Sequence, residues 1–138
     1  MTTLTRLLFP LPAIQRSPAT LLGWWESRRP AYNAIVGTAG LFTLATVQLV
    51  DWLPPHVLRI AVPWQAVIAY GVVANACYSC GFLLELLCEG AWHGEVAPVG
   101  PALFRQGLIF SVGLTLLPIV PAWMSYVFDL VKWAALRG

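Results

Sequence analysis

Polar and apolar positions along this chain fall into long blocks rather than short alternations. Pro30 to Val50, Ile60 to Leu84 and Gln106 to Phe128 contain no Asp, Glu, Lys or Arg, and they are 21, 25 and 23 residues long. An α-helix rises about 1.5 Å per residue, so roughly 20 apolar residues cross the hydrocarbon core of a bilayer. Each block therefore predicts a membrane-spanning helix. The breakers fall between the blocks. Asp51-Trp52-Leu53-Pro54-Pro55 ends the first, and the loop from Gly90 to Ala102, with Pro98, Gly100 and Pro101, separates the second from the third. Consecutive prolines cannot carry the helical hydrogen-bond ladder forward. The predicted spans cover about residues 31–50, 61–87 and 103–128.

Residues 1–16 carry no sustained helical period, and Pro10 and Pro12 favour an extended or turning segment that lays Leu7, Leu8 and Phe9 on the membrane surface. Ser17-Pro18 is a helix-start signal, a serine N-cap followed by a proline at the first helical position. The following turns put Leu21, Leu22 and Trp25 on one face and Glu26, Arg28 and Arg29 towards the headgroups. That pattern predicts a short interfacial helix. Pro118 and Pro121 predict a kink in the third span rather than a split into two half-helices. A short amphipathic tail follows from Asp129. The expected fold is all-α, a single membrane domain over residues 1–138. It has three transmembrane helices, preceded within residues 1–30 by the interfacial segment.

Composition sharpens this. The chain is 59% apolar and 10% charged, where a soluble domain carries about 25% charged residues. A net charge of +2 without a basic run gives nucleic acid no footing. Thr5 to Ile14, broken by two prolines and followed by Gln15-Arg16, does not read as a cleavable signal peptide. Arg6, Arg16, Arg28, Arg29 and Arg105 lie on the N-terminal side of the predicted spans, against Arg59, Lys132 and Arg137 on the other. The positive-inside rule then places the N-terminus in the cytoplasm. Trp24, Trp25 and Trp92 mark one interface, and Trp52, Trp64, Trp123 and Trp133 the other.

Candidate chemistry concentrates in the second span. Asn75, Tyr78 and Glu85 form a polar stripe, because at 100° per residue Tyr78 and Glu85 nearly coincide in projection. Polar stripes in spanning helices face protein. Asn75 and Tyr78 are expected to point into the bundle, with Thr38, Ser111 and Thr115 as partners and Asn33 as the poorest candidate by depth. Glu85 sits where the span leaves the membrane, and an ion pair with Arg28, Arg29 or Arg105 would relieve its charge. Gly71, Ala74 and Gly81 allow close approach. Interhelical packing accounts for the stripe more simply than an ion, proton or ligand path.

Cys77 and Cys80 have CxxC spacing, but mid-span they read as small buried packing residues rather than a redox pair. Cys88, Glu89, His93 and Glu95 match no metal-site spacing. Neither His56 nor His93 falls in a span, which disfavours axial haem ligation between the helices. No nucleotide, nucleophile or metalloprotease motif appears. Catalytic, cofactor and metal residues are therefore all assigned as none. The candidate site is an interhelical polar and ion-pair cluster of Arg28, Arg29, Asn75, Tyr78, Glu85 and Arg105.

The segments WWESRRPAYN (Trp24 to Asn33) and NACYSCGFLLELL (Asn75 to Leu87) resemble a group of small, uncharacterised bacterial integral membrane proteins. That group pairs a WWExRRxxYN motif with an NxCYxxGxxxE motif, and Gly107, Ser111 and Pro118 loosely match its third helix. The resemblance implies a bacterial inner membrane and brings no activity with it. The resulting expectation is a non-enzymatic accessory or scaffold subunit, with the bilayer and other membrane subunits or its own copies as partners. The alternative is a small transporter or channel built by self-association.

Overall fold

The computed structural model describes residues 17–55, 62–92 and 99–137. The expectations for residues 1–16, and those for His56, Arg59, His93 and Glu95, lie outside the described residues. Every regular element described is helical: α1 (Pro18–Glu26), α2 (Arg29–Trp52), α3 (Trp64–Trp92), α4 (Gly100–Leu116) and α5 (Ile119–Arg137). Three stretches are long and apolar enough to cross a membrane, Pro18–Trp52, Trp64–Ala91 and Gly100–Arg137. Each overlaps one of the three charge-free blocks and runs past it into charged residues.

Local chemistry sets most boundaries. Ser17 has extended backbone angles, and its Oγ accepts from the Thr20 backbone N–H at 3.3 Å. Pro18 follows in the first turn, where a missing N–H costs nothing. Ser27 and Arg28 form a turn between α1 and α2, with Arg28 N–H bonded to the Trp25 carbonyl at 3.0 Å. Leu53 turns extended after α2, and the two following prolines prevent continuation. Pro63 falls just outside α3, later than the sequence boundary at residue 61, and its carbonyl accepts from Ala66 N–H. α3 then continues to Trp92, past the expected end at 87, and takes in Gly90.

The third span departs from expectation at its prolines. One kinked helix was predicted, and instead the helix is interrupted at Leu117–Pro118. Pro118 has no N–H, and its ring collides with the carbonyl four residues earlier. Leu117 N–H still reaches the Gly113 carbonyl at 3.1 Å, and Val120 N–H restarts the ladder on the Leu117 carbonyl at 3.1 Å.

α4 packs against both α2 and α3, while α5 packs against α2. α1 folds back onto α3 and the start of α2. α2 and α3 meet through Tyr32 and Tyr78, whose ring centroids are 4.7 Å apart. Two buried clusters result: Trp25, Tyr32, Val36, Tyr78 and Phe104 at the α1 end, and Val47, Val50 and Ala122 at the other. Leu41, Phe42, Val72, Phe110, Val120 and Val131 all point outward. Such an apolar exterior is what hydrocarbon, not water, would cover.

Candidate functional site

The two motif segments fold against each other. Trp25, on the last turn of α1, is 2% exposed and inserts between α3 and α4. A Cβ at Gly81 would lie 2.6 Å from the Trp25 ring, so this approach requires glycine. Tyr78 is buried beside it, with ring centroids 5.2 Å apart at 79°, and its hydroxyl donates to the Trp25 carbonyl at 2.6 Å. Phe104 of α4 completes an edge-to-face set with Trp24, Trp25 and Tyr78. Pairs of this geometry contribute about 0.5–1.5 kcal/mol each beyond area burial.

Glu85, 4% exposed, is the charged centre of the cluster. Its carboxylate accepts from Trp25 Nε1–H at 2.6 Å and from the Gly100 backbone N–H at 3.0 Å. A Cβ at Gly100 would overlap that carboxylate. Glu85 therefore caps the N-terminus of α4, where unpaired N–H groups and the helix dipole favour an anion. This corrects the expected ion pair. Arg29 bonds Glu26 instead, through Nε and Nη2 at 3.0 and 2.8 Å. Arg28 is buried, donates to the Trp24 carbonyl at 2.9 Å, and lies 3.9 Å over the Trp24 ring. Arg105 is exposed on α4, past the capped terminus. The start of α4 lies directly against the Glu85 carboxylate and occupies the place expected for an arginine.

The polar stripe divides. Tyr78 points inward, although its partner is the backbone of α1 rather than of the first or third span. Asn75 is half-buried and donates to the Gly71 carbonyl of its own helix at 3.1 Å. The expected interhelical partner of Asn75 is therefore replaced by a bond four residues back, which a short polar side chain makes readily. Asn33 and Thr38 are exposed, and Thr38 bonds Ala34 of its own helix. Ser111 and Thr115 are bonded across helices, but to other tyrosines. Tyr32 donates to the Ala74 carbonyl and pairs with Ser111 Oγ at 2.8 Å. Tyr70 pairs with Thr115 Oγ1 and donates to the Ser111 carbonyl at 3.1 Å. Thr43 donates to the Thr115 carbonyl at 2.8 Å.

Cys77 and Cys80 are exposed free thiols, which corrects their expected burial. On α3 they lie one and two residues from Tyr78, and that rotation carries them off the packed face. Among the described residues, no three His, Cys, Asp or Glu side chains gather as a metal group would. The sequence pattern placed Trp25 at the membrane interface, gave no role to Tyr32 or Tyr70, and read Gly100 only as a loop breaker, whereas it opens α4 against Glu85. The WWE motif carried a usable signal: a tryptophan needs a partner for its N–H when buried, and Glu85 was a carboxylate in need of a donor.

Beside this cluster a cleft of about 400 Å³ runs between α2 and α3. Gly37 and Gly40 line one wall, Tyr70 and Gly71 the other, and Thr115 and Pro118 form the floor. No protein-family model matches the chain, and no curated protein or solved structure matches it.

Proposed function

We propose that this chain is a non-enzymatic membrane protein that acts by association in the bilayer, as an accessory or scaffold subunit. The observation that carries the reading is where the polar groups go. Glu85, Tyr32, Tyr70, Tyr78, Ser111 and Thr115 each bond a neighbouring helix, and the outward faces are apolar. Side chains spent on holding helices together leave the outer surface as the part that meets partners. In this reading the membrane is a bacterial inner membrane, and the N-terminus is cytoplasmic on the Lys and Arg distribution. α1 then sits at the cytoplasmic interface, with Leu22 and Pro18 exposed to headgroups.

Purification of the tagged full chain in mild detergent, with mass measured by light scattering and composition by mass spectrometry, tests the reading. A complex with a second polypeptide in fixed stoichiometry is expected. A uniform homo-oligomer of this chain alone would instead select the self-associating transporter or channel.

A further inference from the structure

We infer that the outward face of α5 is a seam along which two copies of this chain pair in parallel, within the membrane and past its far edge. The contact is independent of the association reading above, because two copies joined here keep the outward faces of α2 and α3 for a second polypeptide. Three observations point to it.

First, length. The charge-free run from Gln106 to Phe128 is 23 residues. It rises about 34 Å and so fills a hydrocarbon core of about 30 Å. Its far edge is the end of the bundle, since the Tyr126 hydroxyl meets the Pro54 carbonyl just past α2. α5 does not stop there. It runs unbroken to Arg137, eight residues past Asp129. Those residues add about 12 Å, whereas the headgroup layer on one side is about 5–8 Å deep. From Val127 onward every residue except Asp129 is exposed. Lipid tails cover α5 as far as Phe128 and not the turns beyond it.

Second, period. Val120, Met124, Val127, Val131 and Ala134 are all exposed and recur at spacings of 4, 3, 4 and 3. This is the seam of a left-handed coiled coil. Leu117 and Phe110, seven and fourteen residues before Met124, are exposed as well, so the seam meets no overhang from α4. α2 packs on the other side of α5, at Ala122 and Tyr126. Inside hydrocarbon an apolar seam says little, because every face is apolar. Past Phe128 the contrast returns. Asp129, Lys132 and Arg137 all fall off the line, and Val131 and Ala134 fall on it. Lys132 and Arg137 lie 4.4 Å over the Phe128 and Trp133 rings of their own helix, which holds both charges on its flank.

Third, the fit of a second copy. An apolar line on a helix that has left the lipid calls for a protein surface. The partner must present an uncharged seam of the same period, at the same depth and with the same projection past the core. Copies of one chain insert in one direction and to one depth, so each supplies that seam. A two-fold axis along the membrane normal sets Val131 against Val131 and Ala134 against Ala134. No charge is desolvated, and small and β-branched residues let the backbones approach.

Disulfide trapping in native membrane vesicles tests this, on the full chain with Cys77, Cys80 and Cys88 replaced by Ser. Val131→Cys and Ala134→Cys are expected to give a covalent dimer of twice the chain mass on oxidation. Lys132→Cys and Leu136→Cys, off the seam, should give several-fold less. Val131→Glu with Ala134→Glu lies clear of the bundle's packing and should cut the yield of a Val127→Cys dimer several-fold. Three results overturn the proposal: no dimer at the seam positions, equal yield at all four positions, or a Val127→Cys dimer that survives both glutamates. An adduct of Val131→Cys with a different polypeptide in place of the dimer also overturns it and gives the seam to that partner. A second polypeptide in the purified complex is read from composition and alters none of these yields.

Discussion

A carboxylate on the second span with no arginine on it has to be stabilised some other way, and Glu85 does so with two neutral donors. Hydrogen bonds to a charged group contribute about 1.5–3 kcal/mol each, and an uncapped buried helix N-terminus forfeits more. Glu85→Ala removes both bonds and leaves the Trp25 indole and Gly100 N–H groups buried without partners. It is expected to destabilise the chain in detergent by about 3 kcal/mol or more. Glu85→Gln keeps the shape but offers one good acceptor, so its loss should be smaller. Asn75→Ala is the matched control. Its amide bonds only its own helix, and the change should stay within about 0.5 kcal/mol. Thermal melts of the three variants, followed by tryptophan fluorescence, check the ranking. A Glu85→Ala variant that melts with the wild type would remove Glu85 from its anchoring role.

At the scale of elements, the break at Leu117–Pro118 separates two packing relationships within the third span. α4 serves the aromatic cluster and the tyrosine network, whereas α5 packs on the end of α2 through Ala122, Val47 and Val50. Val50 is fully buried there, and Tyr126 hydroxyl reaches the Pro54 carbonyl at 3.4 Å. A small residue at 122 permits the helices to approach. Ala122→Leu adds three carbons at a filled contact, and overpacking of this kind costs about 1–3 kcal/mol. The expected outcome is a lower melting temperature, with greater protease access at the α2–α3 connection than in Asn75→Ala. An unchanged protein would mean that α5 is not held against α2.

For the whole molecule, three helices long enough to span a membrane predict that residues near the two ends of the sequence lie on opposite sides of it. Single cysteines at Thr3 and Gly138, in a background lacking Cys77, Cys80 and Cys88, should label from opposite faces of sealed vesicles. Thr3 should label from the cytoplasmic face, given five cationic side chains there against three. Labelling of both positions from one face would contradict three spans, and exchange of the two faces would reverse the orientation alone.

What the sequence determined by itself is the number of helices long and apolar enough to span a membrane, their approximate limits and the start of α1. These rest on requirements that act along one dimension: a helix must satisfy its own backbone in hydrocarbon, charges stay out of it, and Ser17-Pro18 and Pro54-Pro55 act locally. Tertiary structure alone decided which faces turn inward. In water the contrast between apolar and polar positions marks the inner face of a helix. A span that is apolar all round lacks that contrast, and lipid drives neither face inward. Small residues and hydrogen-bonding groups then decide, and their partners come from distant parts of the chain. Trp25 is buried because Gly81 makes room and Glu85 accepts its N–H. Glu85 is capped because Gly100 reaches it. Asn75 turns back on its own helix, and Cys77 and Cys80 face outward because Tyr78, between them in the chain, took the inner face.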